Sequence, residues 1–245
     1  MSIADNGRRV NSNDLSPVCY NVCMKITILT IAPEEFSGFC QAHIIKRAVE
    51  LGALELSVED IRDYAEGSFR HVDDSPYGGG GGMILKCEPV WKCLEAVKQR
   101  SEGSCLTLAL TPKGEVFDQK KALDLAAVEH LILICGHFEG MDERILHFCD
   151  GEISIGDYIL TGGELAAQVV ANAVTRLLPG VLKTGRAEDE SFSNDLLEYP
   201  QYTKPADFRG DRVPEILLSG NHEEIRKWRE SEAMKVTKER RPELL

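Results

Sequence analysis

The chain has 245 residues, 43% of them hydrophobic and 28% charged, a composition that suits a globular protein of one large or two smaller domains and excludes a disordered or fibrous chain. No stretch approaches the ~20 apolar residues of a membrane span, so no membrane partner is expected. The formal net charge of −12 is opposite in sign to that of an ordinary nucleic-acid binder, so any contact with RNA has to come from a local basic patch.

Residues 1–23 are polar, lack the apolar core of a signal peptide and precede a second methionine, Met24; they read as a disordered extension or as a start assigned too early. From there strands and helices alternate. Strands are expected at 25–30 (KITILT), 54–58, 83–86, 106–110, 131–135 and 152–155, and helices at 34–51 (mostly), 88–100, 118–128 and 162–178. This spacing predicts an α/β fold, a mostly parallel sheet covered by helices on both faces. The run Gly78–Gly82 fails as a phosphate loop because no Lys-Ser/Thr follows it and no apolar strand precedes it; it reads as a surface loop. The eight cysteines (19, 23, 40, 87, 93, 105, 135 and 149) include no C-x-x-C pair, which argues against a zinc site or disulfide framework and for a reducing, cytoplasmic setting.

Two segments within 131–165 carry the most chemistry. Leu131–Cys135 breaks into Gly136-His137-Phe138-Glu139-Gly140, and Ile153–Leu160 breaks into Thr161-Gly162-Gly163-Glu164. Strands that end at glycines bring bare backbone N–H and C=O groups to a sheet edge, where open α/β sheets bind ligands. Thr161 followed by Glu164 reads as a capping box that starts a helix at Gly162. On that helix Leu165, Val169, Val170, Ala173, Val174 and Leu177 form one apolar arc, and Arg176 stands at its edge, either as a cation favoured by the helix dipole or as a clamp for an anion or carbonyl. The polar segment 183–205 is too long for an ordinary connection, and a smaller helical unit follows from about Ala206. Its basic residues, among them Arg226, Lys227, Arg229, Lys235, Lys238, Arg240 and Arg241, sit among glutamates that can neutralise them along a solvated helix.

The motifs GHFEGMDER (136–144), IGDYILTGGEL (155–165), LPGVL (178–182) and LLSGNHEEIRKW (217–228) closely resemble those of the bacterial tRNA (guanine-N1)-methyltransferases, members of the knotted SPOUT class. The likeness covers nearly all of 24–245. It implies a knotted domain over 24–182 with a trefoil knot near 108–178, a linker and catalytic loop over 183–205, and a small helical tRNA-binding domain over 206–245. It also implies a homodimer, with the catalytic loop and C-terminal unit of one subunit closing over the other's cofactor. S-adenosyl-L-methionine is the implied methyl donor, bound largely by backbone at Gly136, Ile155, Gly156, Asp157, Tyr158, Ile159 and Leu160, with Gly162, Gly163, Glu139 and Phe138 beside it; no tightly bound metal is expected. His137 and Phe138 stand where arginine and tyrosine are common in the family. The segment 75–83 matches one that lies near cofactor and RNA.

Within the resemblance, the residue before Ser191-Phe192 is the catalytic base, an aspartate in the family and Glu190 here; Asp189 is the alternative because one residue is missing upstream. N1 of neutral guanine bears a proton that a carboxylate can accept, and the charge that builds on O6 is one an arginine such as Arg176 can stabilise. The implied target is guanine 37 of tRNA. A SPOUT methyltransferase for another RNA base or a ribose, and a non-catalytic RNA- or nucleotide-binding module, are the alternatives.

Overall fold

A computed structural model describes residues 23–182, 190–192 and 195–245; the extension 1–22 and the alternative base Asp189 lie outside the described residues. Five strands form one parallel sheet: β1 (Met24–Thr30), β2 (Leu54–Asp60), β3 (Cys105–Val116), β4 (His130–Cys135) and β5 (Gly151–Ser154), in spatial order β2-β1-β4-β3-β5. β4 (HLILIC) is buried along its whole length and β1 (MKITILT) nearly so, as strands covered on both faces must be. Alternate side chains feed two cores. Ile26, Ile28, Leu131 and Leu133 pack with α1 (His43–Glu50), α3 (Gln119–Ala126) and α4 (Glu164–Thr175), whereas Leu29, Ile132 and Ile134 pack with α2 (Cys87–Arg100). A last long helix, α5 (His222–Arg240), begins at Asn221, whose side chain caps the amide of Glu224.

Three elements differ from the sequence expectation. The helix expected over 34–51 is broken: Pro33–Phe36 is a 3-10 turn, Ser37–Cys40 a single helical turn, and Ala42 is extended (φ −58°, ψ 137°) before α1. The strand expected at 83–86 is only Ile84–Leu85, and it pairs antiparallel with Asp73–Asp74 outside the main sheet. β3 runs well beyond Leu110. Its register shifts there, so that Ile153 of β5 is partnered by both Leu110 and Glu115. A Cβ at Gly114 would overlap the backbone of Glu152 and Ile153, so the close approach requires glycine. Among the described residues no helix is long and apolar enough to cross a membrane.

The sheet's other end, away from the glycine turns, holds a buried polar chain. His130 is 4% exposed, its Nε2 2.8 Å from Thr27 Oγ1, which lies 2.9 Å from Ser57 Oγ, and its Nδ1 bonds the Ser101 hydroxyl. Burial, with Lys25 nearby, lowers the His130 pKa below its ordinary 6.5. The unfolded chain therefore takes up this proton before the folded one does. The contribution of His130 is fully present above pH 6.5 and is lost as pH falls through that value toward the lower folded one. Urea unfolding from pH 7.5 to 5 should show wild type losing more stability than His130→Asn, which lacks this titration; parallel losses would exclude the linkage.

Candidate active site

The two glycine turns meet. Beyond the carboxyl ends of β4 and β5, the Gly163 amide donates to the Gly136 carbonyl (2.7 Å), and His137 and Gly162 form an antiparallel bridge. A Cβ at Gly163 would come within 2.8 Å of Cys135 Cα and 2.9 Å of the Gly136 nitrogen, so the start of α4 rests on the end of β4 with no room for a side chain. At Gly136 a Cβ would reach 2.7 Å from the Met141 methyl. A third wall comes from the short strand. The Leu85 amide donates to Gly140 O (3.0 Å), Asp142 N to Leu85 O (2.9 Å) and Glu139 N to Met83 O (3.0 Å). The exposed glycine run is seated at its C-terminal end, where a Cβ on Gly82 would overlap the Glu139 side chain.

Together these segments enclose a cleft of about 540 Å³. Gly136, Phe138 and Glu139 line it from the first turn, and Ile155, Gly156, Tyr158, Ile159, Leu160, Gly162 and Gly163 from the second. Asp157 is exposed and does not line it. Gly156 sits at φ +139°, a conformation other residues rarely adopt, with the Tyr158 ring folded over it. Phe138 holds a positive φ of 61° at the rim. Ile159 is 82% exposed and Tyr158 half-exposed, so the cleft presents backbone polar groups edged by uncovered apolar side chains. Cys135 faces away from chemistry: it is buried, and burial pushes its thiol pKa well up.

Sequence reasoning misread Glu164. There is no capping box: α4 starts at Glu164 with Gly163 as its N-cap and no side-chain cap bond. The carboxylate turns inward instead, 2% exposed, and accepts the Thr30 hydroxyl at 2.7 Å, while Thr30 Oγ1 accepts the Ala32 amide at 2.9 Å. Its other oxygen lies 3.5 Å from His137 Nδ1, which is buried without a hydrogen-bond partner. The available signal was an acidic residue opening a largely apolar run, ELAAQVVANAV, with Gln168 and Asn172 its only other polar residues. The arc assigned to α4 is also rotated. Ala167, Val170, Ala171 and Val174 are buried, whereas Leu165 and Val169 are about half exposed, because the small residues face the sheet.

Arg176 and Glu190 come together away from this cleft. Arg176 caps the C-terminus of α4, and its Nη2 lies 2.7 Å from Glu190 Oε1, each side chain 32% exposed. The loop carrying Glu190 is held from both sides of its Ser-Phe pair. Ser191 Oγ accepts the Glu198 amide (2.9 Å), Phe192 N donates to Leu196 O (2.8 Å), and the Leu197 amide donates to the buried Thr237 hydroxyl of α5 (2.8 Å). Arg241 lies over the Phe192 ring. Neither Arg176 nor Glu190 lines the cleft of its own chain. Along α5, Arg226 pairs with Glu230, Lys227 with Glu223 and Glu224, and Lys235 with Glu232, as the neutralised-helix reading expects. Arg229 instead lies over the Tyr199 ring, 4.9 Å from its centre.

Comparison with known proteins decides the family. The model of the family "tRNA (Guanine-1)-methyltransferase TrmD" matches residues 24–245. The chain belongs to this family. Similar relatives, all named tRNA (guanine-N(1)-)-methyltransferase, come from Halalkalibacterium halodurans (51% identical, 91% of each chain), Listeria welshimeri (54%, 91% of this chain and 92% of the relative) and Geobacillus kaustophilus (54%, 91% of each). The match spans the cleft, the Arg176–Glu190 pair and α5 alike.

Within this methyltransferase, Glu164 links the end of β1 to the start of α4. Glu164→Ala removes the partner of a buried hydroxyl and should cost about 1–3 kcal/mol of stability in urea unfolding. Glu164→Gln keeps an oxygen for Thr30 and should cost less. Equal losses for the two would show that the Thr30 bond is not what Glu164 contributes.

Proposed function

We propose that the chain transfers a methyl group to N1 of guanine in tRNA, at position 37, with S-adenosyl-L-methionine as donor. Family membership supports the tRNA substrate, the guanine N1 target and the methyl transfer, and the cleft supports the donor site. Four glycines, 136, 156, 162 and 163, line the cleft at positions where an added Cβ would strike neighbouring protein atoms, so its wall there is bare backbone, and His137 Nδ1 is a buried polar atom with no partner. These suit a ligand held by backbone, so Gly136, Phe138, Glu139, the run 155–160, Gly162 and Gly163 are the residues that would hold the donor; Asp157, being exposed, would contribute backbone alone. When bound, S-adenosylmethionine supplies a methyl group activated by its sulfonium.

The rest of the chemistry belongs to the protein. Without substrate, Arg176 and Glu190 satisfy each other at 2.7 Å, a charge-assisted pair between half-buried groups. Guanine offers O6, an acceptor, beside N1–H, a donor, so it fits between them with each partner retained. Glu190 takes the N1 proton, leaving the nitrogen lone pair free to attack, and Arg176 stabilises the charge that moves onto O6. Alignment of N1 with the methyl carbon is the remaining task, and it is one of positioning.

The pair's separation from its own chain's cleft supports a homodimer in which one subunit's Arg176–Glu190 loop serves the other's cofactor. The half-exposed Leu165 and Val169, adjacent on one face of α4, supply an apolar seam for it. The trefoil knot rests on family membership alone. The Leu197–Thr237 hydrogen bond and the Arg241–Phe192 contact tie the linker to the C-terminal unit, in keeping with the division into a domain over 24–182, a linker over 183–205 and a tRNA-binding unit over 206–245. The described cysteines, free thiols without exception, support a cytoplasmic setting.

Single-turnover assays on unmodified tRNA, with the methylated base mapped, test this reading. Glu190→Gln should lose about 10²–10⁴-fold in rate while still binding both substrates, the range for a positioned base. Glu190→Asp should keep partial activity, and Arg176→Ala should be comparably damaging. Near-normal turnover in Glu190→Gln, with Asp189→Asn inactive, would move the base to Asp189. A product methylated on ribose or another base would favour the other SPOUT reading.

A further inference from the structure

The motif LPGVL (178–182) lines no part of the cleft and supplies neither partner of the Arg176–Glu190 pair, yet it stands between those two residues in the chain. It forms a tight turn. The Val181 amide donates to the Leu178 carbonyl (3.2 Å), with Pro179 and Gly180 at the two central positions and Gly180 at φ +78°. Proline first and a glycine of positive φ second is the pattern of a type II turn. The turn is welded to the end of α4, because the Leu177 amide donates to Val174 O (3.0 Å) and the Leu178 amide to Thr175 O (3.2 Å). Leu178 and Val181 are both buried, in the core that α1 and α4 share.

One side chain from a distant part of the sequence holds this turn. Arg47, on α1, donates from Nε to the Val181 carbonyl at 2.7 Å, and its Nη2 lies 3.5 Å from the Gly180 carbonyl. Val181 is 1% exposed, so its carbonyl needs a protein donor, and a guanidinium offers N–H groups to both carbonyls from one rigid plane. Arg176 is therefore fixed on both sides, by the last turn of α4 before it and by the clamped 178–181 turn after it. Glu190, its partner, is fixed separately, through the bonds that hold residues 191–197.

We propose that Arg47 is a positioning residue for methyl transfer, acting through the 178–181 turn on Arg176. Arg47 touches neither the cleft nor the ion pair, so its effect has to pass through the backbone that carries Arg176. A group that stabilises charge on one oxygen is effective only in register with it, and a misplacement of about 1 Å costs on the order of a hundredfold in rate. The inference rests on Arg176 and Glu190 acting as proposed above.

Single-turnover methylation of unmodified tRNA, with donor and tRNA both saturating, tests it. Arg47→Ala should slow the methyl-transfer step by about ten- to a hundredfold while affinity for tRNA and for S-adenosylhomocysteine stays unchanged. Arg47→Lys, which keeps a donor for one carbonyl, should recover part of the rate. The deciding measurement is the double-mutant cycle with Arg176→Ala. If Arg47 acts through Arg176, adding Arg47→Ala to Arg176→Ala should cost no more than about a further twofold, the margin within which independent effects are distinguished. An undiminished loss in that background would make Arg47 merely structural and overturn the proposal, as would a wild-type rate in folded Arg47→Ala. Should circular dichroism show Arg47→Ala unfolded, Arg47→Lys carries the same cycle. Failure of the proposed function would look different: no methylation of guanine N1 by the unaltered protein, or normal turnover in Arg176→Ala alone.

Discussion

The site depends on one close approach, that of the first turn of α4 to the end of β4. The Gly163–Gly136 hydrogen bond at 2.7 Å exists only because neither residue has a side chain, and a Cβ at Gly163 would strike main-chain atoms that cannot yield. That contact brings two loops that are separate in sequence to one edge of the sheet. It also sets the backbone of both loops along one cleft, in which Glu139, Glu143 and Lys113 are the charged side chains.

Among the described residues Glu164 is the only buried Asp, Glu, Lys or Arg, and it serves the same contact. Glu164 enters the core at the turn itself, where the Thr30 hydroxyl and the amide of Ala32 complete a chain of hydrogen bonds back to β1. A carboxyl group at 2% exposure is costly unless bonded, so the arrangement ties the strand end and the helix start into one unit. The Arg176–Glu190 pair is built on the opposite principle: it is partly solvated, closes on itself, and stands on a loop braced by α5 rather than on the core.

Much of this was legible in the sequence where periodicity and glycine spacing carry it. The apolar runs KITILT and LILIC read correctly as buried parallel strands, and the two glycine turns pointed to one shared edge. Thr161-x-x-Glu164 failed because the capping pattern is local, whereas the partner that captures Glu164, Thr30, lies 134 residues away. The face of α4 was misjudged for a related reason. Hydrophobicity favours Leu165 and Val169 along with Val170 and Val174, yet the buried face is made by Ala167, Val170, Ala171 and Val174. Ile84–Leu85 has strand-like residues, but its pairing is set by Asp73–Asp74 and by the 138–142 turn, contacts no single window contains. The meeting of Arg176 with Glu190 came from family resemblance rather than from spacing.

The claim that the two glycine turns form a single cofactor cradle is tested most directly by hydrogen–deuterium exchange with and without S-adenosylhomocysteine. The account predicts that amides of residues 136–141 and 155–163 gain protection together, at the same ligand concentration, while those of α5 change little at that step. Protection confined to one turn would contradict it.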